Sequence, residues 1–429
     1  MSNTVPEGWR ESSIGEITSK DSLFCDGDWV ESKDQDQAGS NRLIQLADVG
    51  DGVFVNKSSR FMNDEQFDRL KCTALKKNDI LIARMPDPLG RACLYPLKAG
   101  RAATVVDVAV IRTQNADHYW LMSAINSSEF RYQIDLNASG TTRTRIARGT
   151  LSQIKVLEPP LPEQQKIAAI LSSVDDVIEK TRTQIDKLKD LKTGLIQELL
   201  TKGIGHTEFK NSPVGRIPVA WDFDELLSLS VNGISNGIFN DPKKVGKGKK
   251  LINVYDMYQG FGVKVSSLKL ADVDDKEFNR NKVEFGDVFF TRSSLKLEGI
   301  AYCNINLSHD NDITYDGHLM RVRPDKSRVS PKYLAYFCLT DHSRKFFMAA
   351  AKHSTMTTIG QADIAPLKVA LPPLPEQEKI VSIIDAVEEK IRAASIRLLQ
   401  TEALKKALMQ DLLTGKVRVK VDQKESAVA

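Results

Sequence analysis

Three arginines, Arg143, Arg145 and Arg148, fall within six residues and follow Ser139-Gly140-Thr141-Thr142. A guanidinium offers a planar fork of donors that fits a guanine edge or a phosphate. Hydroxyls beside a glycine let a polynucleotide backbone come close. Thr142 and the three arginines are therefore candidate nucleic-acid contacts, with a solvated basic loop as the competing reading. Arg84 ends a strand-like run just ahead of the loop 85–90, which Arg91 closes; Arg292 and Lys296 hold the like place further on. Lys243, Lys244, Lys247, Lys249 and Lys250 put five lysines into eight residues with glycines between them. That composition suits a phosphate clamp and reads bases poorly. His353, Ser354, Thr355, Thr357 and Thr358 occupy the segment that matches the arginine cluster, so hydroxyls stand where the first cluster has arginines. Asn236, Asn240, Asn253 and Gln259 are weaker candidates, because amides serve turns equally well.

All of this is binding chemistry. No Asn-Pro-Pro-Tyr-like motif or glycine-rich S-adenosylmethionine loop is present, and Gly246-Lys247-Gly248-Lys249-Lys250 lacks the P-loop pattern. The six histidines show no metal spacing. Asp79 and Asp287 each begin a strand and read as structural. The five cysteines are odd in number and scattered, which fits free thiols in a reducing compartment. The N-terminus does not read as a signal peptide, and no apolar run reaches membrane-spanning length. A cytoplasmic chain with no membrane partner is expected. The net charge of +4 permits nucleic acid without arguing for it, so local clusters must carry that argument.

The elements that position these residues are duplicated. Pro159-Pro160-Leu161-Pro162-Glu163-Gln164-Gln165-Lys166-Ile167 recurs 213 residues on as Pro372-Pro373-Leu374-Pro375-Glu376-Gln377-Glu378-Lys379-Ile380. At the same offset Val174 meets Val387, Leu195 meets Leu408, and Leu199-Leu200-Thr201 meets Leu412-Leu413-Thr414. A self-match this long marks one structural unit used twice. The prolines hold an extended strip, and Pro162 and Pro375 suit a first helical turn. Glu163 and Glu376 follow at the positive end of the helix dipole. Apolar residues then recur every three or four positions until Gly203 and Gly415. Each helix should run for roughly 38 residues, about 57 Å, and a seam that long needs a partner helix. Between 163 and 202 seven acids balance seven bases, and between 376 and 416 again seven balance seven, which fits a protein-facing helix rather than one that tracks DNA.

Residues 1–157 show short strand-like runs at 43–46, 52–55, 79–83 and 104–111, then a helix-like stretch near 119–132. Residues 205–370 repeat this plan: Pro218 and Trp221 echo Pro6 and Trp9, 286–292 echo 78–84, and 333–347 echo 119–132. Scaffold positions match while the loops differ, the pattern of one fold reading two targets. Trp9 and Trp221 read as core anchors. The alternating run 416–421 could add a strand.

Two mixed units alternating with two helices, each helix opening on Pro-Pro-Leu-Pro-Glu-Gln, and a Gly-Asp-Val-Phe-Phe-Thr-Arg-like strand in each unit, resemble the specificity subunit of a type I restriction–modification system. The resemblance spans nearly the whole chain. It implies an α+β protein with target recognition domains at 1–157 and 205–370. It implies spacer segments at 158–204 and 371–417 that pair as an antiparallel coiled coil with pseudo-twofold symmetry, and a tail at 418–429. Each domain would read half of a bipartite site in double-stranded DNA. Two modification subunits and two restriction subunits would be the partners, and S-adenosylmethionine, ATP and Mg would belong to them, with no cofactor on this chain and no catalysis by it.

Overall fold

The computed structural model describes residues 5–19, 22–86, 88–96, 100–140, 144–239, 245–353 and 356–421. The chain forms two compact units, Met1–Arg182 with Ile396–Ala429, and Thr183–Ser395. The division runs through both long helices rather than at their ends, because each half-helix packs into a different core.

In the first unit the outer pair of strands, Arg10–Ser13 and Lys155–Glu158, is antiparallel and closes the globular part. A four-stranded antiparallel sheet has the order Leu23–Cys25, Val108–Arg112, Ile80–Ala83, Ala92–Leu94. A three-stranded sheet has the order Arg60–Met62, Asn41–Ile44, Ala102–Thr104, the last two parallel. The second unit repeats both sheets in the same order. Its four strands are Ser230–Asn236, Leu319–Pro324, Val288–Thr291 and Cys303–Ile305, and its three are Lys269–Ala271, Val245–Ile252 and Ile313–Tyr315. Asp222–Glu225 with Lys368–Leu371 is its closing pair. The central strands Ile80–Ala83 and Val288–Thr291 are fully buried, and apolar but for Thr291, whose hydroxyl donates to Gly299 O at 2.7 Å.

Some sequence expectations change. The run 104–111 is not one strand: a turn in which Val108 N donates to Val105 O at 2.8 Å divides it between the two sheets. The run 52–55 is a turn region holding only the isolated bridge Val49–Phe54. The stretch 119–132 is two helices, His118–Ile125 and Ser128–Asn137, because Ser127 caps the second by accepting from Phe130 N. Thr340 divides Pro331–Phe337 from Asp341–Ala350 in the same way. Residues 416–421 form no strand.

The long helices run Leu161–Lys202 and Leu374–Leu413, 42 and 40 residues. Within the first unit Asp175 pairs with Lys405 at 2.7 Å and Glu163 meets Arg418, so numbers rise on one helix as they fall on the other. Ile167 and Leu171 join Leu412 and Leu413 in that unit's core. Within the second unit Lys192 pairs with Glu388 at 2.5 Å, Ile204 N donates to Glu376, and Ile196 and Leu200 share a core with Ile380 and Ile384. The pairing is antiparallel inside each unit. Gln164 and Gln377 tie the helix starts to the domains: their side-chain carbonyls accept from Asp117 N and Ser330 N at 2.9 and 2.8 Å.

Candidate nucleic-acid interface

Arg84 leaves the buried strand Ile80–Ala83, and its backbone ties three segments together. Its N–H donates to Asp107 O at 2.9 Å and its carbonyl accepts from Ile146 N at 3.2 Å. Its side chain turns inward, only 3% exposed, donating from Nη2 to Val106 O at 2.6 Å and lying 3.1 Å from Asp26 Oδ1. Burial pushes its guanidinium below the ordinary arginine value, and the Asp26 carboxylate opposes that. Arg145 and Arg148 flank it. Arg145 Nη2 lies 3.4 Å from Asp107 Oδ1, and Arg148 Nε lies 3.5 Å from Asp26 Oδ2. Both side chains are 46% exposed. Arg148 also donates from Nη1 to Phe24 O at 3.3 Å; these exposed contacts hold a guanidinium weakly, so both forks can turn to a ligand. The result is three arginines against two aspartates on one rigid frame.

The second unit builds the same frame with other side chains. Arg292 N donates to His318 O at 2.8 Å and Arg292 O accepts from Ile359 N at 3.0 Å, the counterparts of the Asp107 and Ile146 bonds. Asn236 corresponds to Asp26: each precedes a glycine, and the next backbone N–H, of Asp28 or Ile238, donates to Thr104 O or Tyr315 O at 2.8 and 2.9 Å. Gln361 stands 213 residues after Arg148 and donates from Nε2 to Asn236 Oδ1, where Arg148 faces Asp26. Thr358 stands in the place of Arg145, on a small sheet in which Thr357–Thr358 lies between Ser293–Ser294 and Lys352–His353. The set Asp26, Arg84, Asp107, Arg145, Arg148 is thus matched by Asn236, Arg292, His318, Thr358, Gln361. A charged set has become a largely neutral one.

The candidate residues divide accordingly. Arg145 and Arg148 sit in the frame and face solvent. Arg292 is exposed, with no ion pair among the described residues, and Lys296 is exposed beside it. Arg84 is a scaffold residue rather than a free contact. Arg91 is also corrected to a scaffold role: it is 7% exposed and its guanidinium donates to the carbonyls of Val49, Leu46, Met85 and Pro88. Thr357 is buried beside the exposed Thr358. Lys247, Lys249 and Lys250 belong to the strand Val245–Ile252 of the three-stranded sheet, not to a loop in the frame. Lys250 is held by Asp310 and Asp312 at 2.5 and 3.3 Å, Lys247 reaches Asp272 at 3.3 Å, and Lys249 lies 4.5 Å from the centre of the Phe278 ring. Thr142, Arg143, Lys243, Lys244, Ser354 and Thr355 lie outside the described residues, as does the side chain of His353. Sequence reasoning missed Asp26, Asp107, His318 and Gln361. The shared Asp26-Gly27 and Asn236-Gly237 dipeptides, and the offset that sets Arg148 against Gln361, were the available signals.

The profile of the type I restriction modification DNA specificity domain matches residues 6–190 and 239–401. The chain belongs to this family. It is therefore a DNA sequence-recognition chain, and each matched stretch takes in one arginine frame, with Asn236 just ahead of the second. The chain is similar to the type I restriction enzyme MjaVIII specificity subunit of Methanocaldococcus jannaschii, at 26% identity over 97% of this chain and 94% of that one. It is similar to the EcoKI specificity subunit of Escherichia coli at 26% identity, over 63% of this chain and 60% of that one. Among solved structures, a chain from work on complex assembly and conformational transition of the type I R-M system shares the fold, with a TM-score of 0.59 at 16% identity over 96% of this chain and all of that one. No helix among the described residues is long and apolar enough to cross a membrane.

Proposed function

We propose that each unit reads one half of a bipartite, asymmetric site in double-stranded DNA, and that the two halves differ in sequence. The observation that carries this is the pair of equivalent frames with exchanged side chains. A shared backbone holding Asp26, Arg145 and Arg148 in one copy and Asn236, Thr358 and Gln361 in the other suits one docking geometry with two readouts. Arginine forks favour guanine and glutamine or asparagine amides favour adenine.

The long helices serve as spacer and dock. Leu191 and Leu404 hold equivalent positions on them and are 49% and 52% exposed, an apolar contact offered twice. Two copies of a modification subunit, carrying S-adenosylmethionine, would meet equivalent surfaces there. Two restriction subunits with ATP and Mg would complete the assembly, in the cytoplasm, and this chain would contribute recognition without catalysis. Methylome sequencing of a host that carries the complete system is the test. A split motif with a fixed spacer is expected, and it should disappear when this chain is deleted. A continuous motif, or methylation that survives the deletion, overturns the reading.

A further inference from the structure

Trp29 is 70% exposed and Phe239 is 85% exposed. The other three tryptophans are buried: Trp9 at 7%, Trp120 and Trp221 at 0%. Trp29 and Phe239 are not scattered surface aromatics, because they occupy the same position in the two units. Each stands two residues after the glycine of the Asx-Gly step that carries Asp26 or Asn236. That glycine clamps the chain. A Cβ on Gly27 would come within 2.0 Å of Val105 O, and one on Gly237 within 2.0 Å of Tyr315 O. The following residues lock on by parallel bridges, Asp28 to Val105 and Ile238 to Asp316. The next residue in each unit is the exposed aromatic, projected from a backbone that is already fixed. The loops between the frames differ in length and sequence, yet both units place a large exposed aromatic here.

We propose that Trp29 and Phe239 are aromatic wedges that press against the base stack of duplex DNA beside each half-site. The occupant follows from what surrounds them. Three residues of chain, at most about 11 Å, separate Trp29 from Asp26, which Arg84 and Arg148 face, and the same length separates Phe239 from Asn236, which Gln361 holds. An apolar ring beside Arg148 or Gln361, whose donors suit base edges and phosphates, matches a base stack bordered by polar edges. Wedges of this kind part or lean on a base step and fix the register of the polar contacts. Among the described residues the Trp29 indole N–H donates to the exposed Glu31 Oε1, at 3.3 Å, and the ring is 70% exposed. The inference rests on the DNA-reading function, and its test separates the two.

The chain is assembled with its modification subunits and titrated with a duplex carrying the methylome-derived site. The emission difference between wild type and Trp29→Phe isolates Trp29, and it should be quenched by the site duplex and shielded from acrylamide. Trp29→Ala and Phe239→Ala should each weaken binding about tenfold or more, whereas Trp29→Phe and Phe239→Trp should retain it, because stacking tolerates any aromatic face. Unchanged Trp29 emission with wild-type affinity for Trp29→Ala, in an assembly that still binds the site, overturns the wedge and leaves DNA reading standing. An assembly that binds no duplex removes both. Loss of modification-subunit binding by Trp29→Ala without DNA would assign the ring to a protein interface and equally overturn the proposal.

Discussion

The indole N–H of Trp221 donates to Glu376 Oε2 at 3.0 Å, and Trp9 makes the same bond to Glu163 Oε2 at 3.1 Å. A buried aromatic at the start of each domain is thereby locked to the first turn of a long helix. Glu376 also accepts from Ile204 N at 3.1 Å and pairs with His206 at 2.8 Å, while Glu163 receives Arg418. One carboxylate therefore gathers a domain, a helix start and the end of the other helix.

Glu376→Ala should destabilise the chain by about 2 kcal/mol, because it leaves a buried indole N–H and a backbone N–H without an acceptor. Glu376→Gln keeps an acceptor oxygen and should recover most of the loss. Urea unfolding of the three proteins checks this. An alanine variant within about 0.5 kcal/mol of wild type, the range of an ordinary surface change, would count against the role.

Asp287 is 1% exposed and binds Arg323 bidentately at 2.8 and 2.9 Å while accepting from Glu284 N at 2.8 Å. Asp79 holds Arg112 and Lys76 N in the same manner at 2.6–2.7 Å. These aspartates are structural. Asp287→Ala should cost about 2 kcal/mol, since it removes the bidentate acceptor of Arg323 and the acceptor of Glu284 N, while Arg323 keeps Glu284 and the Lys282 carbonyl. In a double-mutant cycle, adding Arg323→Ala should return part of that loss. Additive losses would mean that the two side chains are not coupled.

The helices, the doubled plan and the anchoring tryptophans were legible because long periodic patterns and a gapless 213-residue offset survive without any tertiary information. The readers were less legible. Arg84 and Arg91 look like loop arginines in sequence, but whether a strand-end guanidinium points out or folds back onto carbonyls depends on strands far along the chain. The break in 104–111 was hidden for a related reason: the apolar run is continuous, and only membership of two different sheets forces a turn at 105–107. Asp26 and Asn236 stand 210 residues apart rather than 213, so loop-length differences concealed their equivalence.

His342 lies half-buried in the helix Asp341–Ala350, and the Phe337 ring is 6.1 Å away. Burial lowers its ring below the usual 6.5, with a hydrogen bond to the Lys368 backbone opposing. The folded chain therefore favours neutral imidazole, and the unfolded chain takes up the proton first as pH falls. The stability is present above about 6.5 and is lost as pH drops through the depressed folded value. The thermal midpoint should fall between pH 7.5 and pH 5.5, and His342→Phe should flatten that fall. A variant with the same pH slope as wild type would place the sensitivity elsewhere.

Arg148 faces Asp26 at 3.5 Å in one unit, and Gln361 bonds to Asn236 in the other, on matching backbone frames. Transplanting the second pair into the first unit, as Asp26→Asn with Arg148→Gln, should alter one half-site and leave the other untouched. An arginine fork selects guanine and a glutamine amide selects adenine, with about 1–3 kcal/mol of discrimination per bidentate contact. The expected methylome shift is a changed base preference at one position of one half, while Arg148→Ala should relax that position rather than re-specify it. The buried Arg84 holds Asp26 and the Val106 carbonyl and supports Arg148 through Asp26, so the double exchange should be judged beside Arg145→Ala, which leaves Asp26 intact. If both single and paired variants weaken the two halves equally, the side chains act on folding or assembly and the frame does not read bases. If only the half belonging to the first unit responds, the exchanged pairs are where the two halves acquire their different sequences.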